Sequence, residues 1–329
     1  MTPPSPSFAR VLQCHAAPLV VIPVLLLAVI YLVVFPNDLK LQEVFASSSC
    51  SGGDGTATSS TSEAYTAAPP VDVRVLLGVL TRPEYYERRA LLRLAYTLQP
   101  RPTRAVIDIR FVLCRLDREE DRVLVSVEAV SHGDVVVLNC TENMNDGKTY
   151  AYFSAVPRIF SGEGERYDYV GKIDDDVYYR LATLADALRG AARRDMYHGF
   201  LFPCGVPPEQ QFMVGMGYIV SWDIAEWISS AAGELRDSHK GGLPEDMLFG
   251  EWLRKGGRGK NVYGEMPRMY DYMDDEMQVD MNCCRHELRG DPDTVAVHKL
   301  KDRLKWARLL RFFNATQGLK PSKMFPVDL

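Results

Sequence analysis

From Val73 onward the chain alternates short apolar runs with amphipathic helical segments, and that alternation restricts it to a mostly parallel α/β sheet flanked by helices. Val73–Leu80 (VRVLLGVL) is a continuous apolar run of the kind a buried parallel strand requires. Helical spacing follows over Glu84–Leu98, with Leu91, Leu94, Ala95 and Leu98 on the apolar face. The pattern predicts a second strand at Ala105–Leu113, a short helix at Asp121–Ala129, a third strand at Asp134–Leu138 and a helix at Tyr150–Phe160. Tyr167–Ile173 reads as a fourth strand ending in Asp174, Asp175 and Asp176, with a helix over Leu181–Leu188 directly after. In open sheets of this kind ligands bind outside the carboxyl ends of the strands, which is where the acidic run falls.

Ahead of this region lies a segment of a different character. Ala16–Phe35 is twenty residues without a charge, and at 1.5 Å per residue it would span roughly 30 Å, the thickness of a bilayer core. A cleaved secretory signal normally has a shorter apolar stretch and a small-x-small site after it; a core helix would be amphipathic. The expected organisation is therefore a cytoplasmic tail (1–15), a transmembrane signal anchor (16–35), a flexible stem (36–70) and a catalytic domain (71–329). Ser, Gly, Thr and Ala dominate the stem, which cannot bury enough apolar surface to offset its ordering entropy. Lys and Arg nearly balance across the span, so orientation rests on the short amino-terminal tail and on the sequons at Asn139 and Asn314. Those triplets have meaning only on the lumenal side. The seven cysteines leave room for one or two disulfides whose pairing the sequence does not fix, and no CxxC spacing favours structural zinc. A net charge of −5 without a long Lys/Arg run argues against a nucleic-acid partner.

Three consecutive carboxylates repel one another and are costly to desolvate. A divalent cation removes that conflict: Mg²⁺ and Mn²⁺ take oxygen ligands, commonly one or two carboxylates together with the phosphates of a substrate. The plainer reading of Asp174–Asp176 is a solvated acidic turn at the start of the next helix. Its place at the end of a buried strand favours the cation.

The block YVGKIDDDVY (Tyr169–Tyr178) resembles the K-x-DDD-V block of the β1,3-galactosyltransferase-like glycosyltransferases, family 31, which have the GT-A fold. Other blocks follow in that family's order. They are Arg88–Arg93 for its RR-x-x-x-R helix, Phe111–Leu113, Gly133–Val136 and Lys148-Thr149. Further on come Gly215–Ser221 for its G-x-G-Y-x-x-S block and Glu245–Gly250 for its E-D-V-x-x-G block. The similarity runs from about Val73 to His298, with Cys114 and Tyr96 as departures at positions usually held by Gly and Trp. The resemblance implies a Golgi type II membrane protein: an inverting hexosyltransferase that moves galactose, or N-acetylglucosamine, from a UDP-sugar to a glycan or glycoprotein acceptor. It implies Mn²⁺, or Mg²⁺, as cofactor.

Such a transfer needs a base on the acceptor hydroxyl and a cation on the departing nucleotide. The resemblance assigns the metal to Asp174, Asp176 and His298, with His286 as the competing histidine. It assigns the base to Asp246, with Glu245 as fallback, although both acids would also suit the first turn of a helix. Donor binding is expected from Asp174, Asp175, Arg89, Arg93 and Lys172. Gly215 and Gly217 would let the backbone approach the sugar, or would serve tight packing. Trp222, Trp227 and Trp252 fit core positions, Asp271–Asp280 a solvated acidic loop, and Arg303–Phe313 an amphipathic helix docked on the domain. The reading from another functional class is a lumenal chaperone or glycan-binding module that kept the fold without catalysis.

Overall fold

A computed structural model of the chain describes residues 70–162, 166–207, 210–231, 235, 242–273, 285–288 and 292–317. The expected anchor at 16–35 and all but the last residue of the stem lie outside the described residues. Among those described, no helix is long and apolar enough to cross a membrane.

Six strands of one seven-stranded sheet run the same way. They are β1 (Val73–Leu80), β2 (Ala105–Leu113), β3 (Val135–Val137), β4 (Tyr169–Asp174), β6 (Met196–Phe202) and β8 (Asn261–Gly264). The spatial order is β3-β2-β1-β4-β7-β6-β8, and β7 (Phe212–Ser221) is antiparallel to both its neighbours. Strands β1 and β4 are buried at nearly every position, as central strands covered on both faces must be, whereas β2 is buried only over its last three residues. The β1 residues from Val75 to Leu80 are all buried.

The helices α1 (Tyr86–Thr97), α2 (Glu119–His132), α3 (Thr149–Ile159), α4 (Leu181–Arg189), α5 (Trp222–Ser230), α6 (Glu245–Gly256) and α7 (Arg303–Phe312) follow. Trp222 and Trp252 are core residues, and α7 docks through Trp306 and Leu309. A disulfide joins Cys114, just past β2, to Cys140, just past β3.

A second sheet, in the order β10-β9-β11-β5, is built from very short strands: β5 (Tyr178–Tyr179), β9 (Met269–Tyr272), β10 (Arg285–His286) and β11 (Ala296–His298). Because β5 begins two residues after Asp176 and pairs antiparallel with β11, it carries the end of β11 to the acidic run.

Helix α1 is rotated from its expected orientation. It buries Arg89, Leu92, Ala95 and Tyr96, while Leu94 is exposed. The cause is Arg89, whose guanidinium donates to the carbonyls of Arg82 and Pro83 and forms a two-pronged pair with Glu128 of α2, at 2.8 and 2.7 Å. With those four bonds only an inward orientation serves, and the residues at i+3 and i+7 turn inward with it.

Burial would push the Glu128 carboxyl up, but Arg89 and Arg93 outweigh it and hold it below the usual carboxylate range. A depressed carboxyl contributes stability above its unfolded value, about 4.3, and loses it as pH falls through the lower folded value. Glu128→Gln is therefore expected to cost about 1–3 kcal/mol near neutral pH. In melts run as a pH series, the gap to the parent protein should close in acid; a gap that stays constant to low pH would exclude this origin.

Candidate active site

Parallel strands place their carboxyl ends on one edge, so Leu80-Thr81, Leu113 and Asp174 emerge together; Leu80 and Asp174 are register partners. The antiparallel β7 adds its beginning to the same edge. Gly217 sits opposite Ile173, which sets Gly215 just beyond the end of β4. The first turn of α6 supplies Glu245 and Asp246 beside it.

The structure brings Asp174, Asp176 and His298 together, with one candidate ligand atom from each lying within 4.8 Å of the others. His298 Nε2 is 3.2 Å from Asp176 Oδ1 and 3.9 Å from Asp174 Oδ2. Atoms bound to a common Mg²⁺- or Mn²⁺-sized ion at about 2.1 Å in octahedral geometry lie roughly 3 Å apart. The His298–Asp176 separation is close to that value, and Asp174 stands further off. Asp174 Oδ1 is buried and is paired with Lys172 Nζ at 2.7 Å. Two carboxylates and an imidazole form a donor set that fits a hard or borderline divalent cation.

Burial would lower the His298 pKa, but hydrogen bonds to Asp176 and Asp271 outweigh it and push it up to about 9. Burial would likewise raise Asp176, and His298, Lys301 and Lys299 more than offset that, so its carboxyl is held below the usual range. The backbone is fixed on both sides of the histidine. β11 pairing holds it from one direction, and the Leu300 N–H donates to the Asp176 carbonyl from the other. Between them Lys299 takes a φ of +67°, a conformation uncommon for a residue with a side chain.

Asp174, Asp176 and His298 line a cavity of about 260 Å³ with a basic wall. Arg82, Tyr85, Arg88, Lys148, Lys299 and Lys301 face it. Lys148 is spoken for, donating to the Thr81 carbonyl and pairing with Glu142; burial lowers its pKa and Glu142 opposes that. Asp175 is also committed. It accepts from the Thr81 hydroxyl and from Arg88, each at 2.7 Å, and so braces the end of β1 and helix α1 against the acidic run. Asp175, expected to bind the donor, thus has its carboxylate taken up by Arg88 and Thr81.

Several expected site residues lie elsewhere. Arg89 is buried against Glu128, and Arg93 pairs with Asp134 at 2.7 and 2.8 Å, so neither faces the cavity; the arginine of α1 that does is Arg88. Both line instead a larger cavity, about 660 Å³, between α1 and α2. Lys172 is fully buried, bonded to Asp174, Glu245 and the Gly215 carbonyl. Burial opposes its charge, but the two carboxylates outweigh it and keep it protonated. Gly217 is a packing glycine, since a Cβ there would lie 2.2 Å from the Tyr179 hydroxyl oxygen. Gly215 does belong to the site: a Cβ there would press on Glu245, Asp246 and Lys172.

Of the two acids on α6, Glu245 is unsuited to act as a base. It is buried and accepts from Lys172 at 2.6 Å, Tyr218 at 2.8 Å and Thr149 at 3.0 Å. Asp246 is partly exposed and is aimed by two backbone N–H groups, those of Gly215 and Met247, both at 2.8 Å. Each of its oxygens keeps a further lone pair for an incoming hydroxyl.

Asp271 was expected in a solvated loop. It lies on β9 instead, and its Oδ1 is 2.6 Å from His298 Nδ1; residues 274–280 of that acidic run are outside the described residues. His286, the competing histidine, lies on β10, beyond β9 from His298.

The galactosyltransferase family model matches residues 87–208, a stretch that includes α1, the acidic run and β6. The β-1,3-galactosyltransferase pvg3 of Schizosaccharomyces pombe is 25% identical over 282 residues, 69% of this chain and 71% of that one. The hydroxyproline O-galactosyltransferase GALT2 of Arabidopsis thaliana is 25% identical over 214 residues, 57% of this chain but 30% of that protein. Among solved structures, the galactosyltransferase LgtC in complex with donor and acceptor sugar analogs aligns with a TM-score of 0.41 at 13% identity, over 77% of this chain and 98% of that one. The mannosyltransferase PcManGT from Pyrobaculum calidifontis, in complex with GDP-Man and Mn²⁺, aligns with a TM-score of 0.39 at 16% identity, over 76% and 66%.

Proposed function

We propose that this chain, which resembles the family-31 glycosyltransferases, is an inverting hexosyltransferase of GT-A type. It transfers galactose, with N-acetylglucosamine as the second choice, from a UDP-sugar to a glycan or glycoprotein acceptor. The observation that carries this reading is the convergence of Asp174, Asp176 and His298 beside a basic wall at the carboxyl edge of the sheet. Those three side chains would hold Mn²⁺ or Mg²⁺, which when bound supplies positive charge to the departing diphosphate.

The chain's own residues do the rest. Arg82, Lys299 and Lys301 neutralise phosphate charge, and Arg88, locked to Asp175, sets the wall against which it lies. Asp246, aimed by Gly215 and Met247, takes the proton from the acceptor hydroxyl as it attacks the anomeric carbon. Attack from the face opposite the leaving diphosphate inverts the configuration there. The apolar run at 16–35 and the two sequons support a type II anchor with the domain in the Golgi lumen.

The test is UDP release by the full-length detergent-solubilised chain with a panel of UDP-sugars and acceptors, with and without Mn²⁺. Release with UDP-galactose and an acceptor, lost on chelation and regained with Mn²⁺, is expected. No metal-dependent release from any donor would favour the binding-module reading.

A further inference from the structure

We infer that Asp271 is the positioning residue for His298, fixing which ring nitrogen faces the cation site and where it points; this rests on the metal-site reading above. The imidazole has two nitrogens, and the fold gives each one a different partner. Nε2 is turned to Asp176 and Asp174, whereas Nδ1 is spent on Asp271 Oδ1 at 2.6 Å. A neutral histidine that offers Nε2 to a cation must carry its proton on Nδ1, and a carboxylate accepting that proton selects this tautomer and holds the ring plane.

The contact is built by the backbone. Strands β9 and β11 are parallel neighbours, and Asp271 and His298 are register partners, so both side chains leave the sheet on one face at one level. Tyr270 and Tyr272, on either side of Asp271, are buried, and Lys305 of α7 donates to the Tyr272 carbonyl. The Asp271 side chain is itself only 14% exposed, so water competes weakly for it. A rotation of β9 or a slip of one residue would break the pair, which makes the second sheet a scaffold for this one bond.

The experiment compares the full-length protein with D271A, D271N and H298A, using Mn²⁺ alone as the probe. Dissociation constants come from calorimetry, and the ¹⁴N modulation of Mn²⁺ spin echoes reports imidazole coordination. H298A is expected to weaken Mn²⁺ binding and abolish the nitrogen signal. D271A should weaken binding by about 10- to 100-fold with a diminished nitrogen signal. D271N, whose amide oxygen still accepts from Nδ1 without the charge, should fall between D271A and the parent. If H298A binds Mn²⁺ like the parent, the metal-site reading fails. If H298A is weakened while D271A and D271N stay within twofold with the full nitrogen signal, the role of Asp271 fails. Should D271A not fold, the near-isosteric D271N decides.

Discussion

Asp176→Asn is expected to lower sugar transfer roughly a thousandfold while leaving the metal-free protein folded. A cation stabilising a departing diphosphate supplies several kcal/mol, and each 1.4 kcal/mol is about tenfold in rate. Asp176 approaches His298 more closely than Asp174 does, 3.2 against 3.9 Å, so loss of that carboxylate would remove a principal anionic ligand of the proposed site. The fold should tolerate the change, because Asn keeps the shape and His298 keeps Asp271. Asp175→Asn is the informative contrast. It weakens the brace to Arg88 and Thr81 and should leave Mn²⁺ affinity within a few fold of the parent. Titration of Mn²⁺ into both variants, with melts in chelator, checks this. An Asp176→Asn protein that binds Mn²⁺ and turns over normally would remove the carboxylate from the site.

Much of this site was legible because its chemistry is local. Asp174 to Asp176 come at the end of a buried strand, and β1 occupies the range its apolar run indicates, because burial on both faces leaves a contiguous signal. Two other features were not legible, for different reasons. Arg88, Arg89 and Arg93 share one helix, and adjacent positions differ by about 100° in direction. Which guanidinium faces the cavity is decided by Glu128 and Asp134, on other elements. The second sheet left almost no periodic trace, since its strands are two to four residues long. That sheet nonetheless joins Asp176 to His298 and His298 to Asp271. His298 was reached through family resemblance, and Asp271 was absorbed into an acidic run that reads as solvated. Lys172 marks a third limit: a lysine beside acidic residues suggests a phosphate ligand, but burial made it a brace.

That brace carries the other large expected effect. Lys172→Met should destabilise the protein by about 3–5 kcal/mol, because it strands Glu245 as a buried carboxylate without its cation. In a domain of this size the melting temperature should fall by on the order of 10 °C. Glu245→Gln alone leaves Lys172 still paired with Asp174 and should cost less, as the amide also accepts from Thr149 and Tyr218. The double variant K172M/E245Q removes both charges together. Its stability should therefore recover at least half of the Lys172→Met loss, a coupling that additive behaviour would exclude. Activity should not recover with it. Lys172 also holds the Gly215 carbonyl at 2.5 Å and stands 2.7 Å from Asp174, so its ammonium ties the metal carboxylate to the segment whose N–H aims Asp246. A folded but slow double variant would separate the two contributions of this lysine, to stability through Glu245 and to alignment through Asp174 and Gly215. Full activity in that variant would reduce it to a core cation.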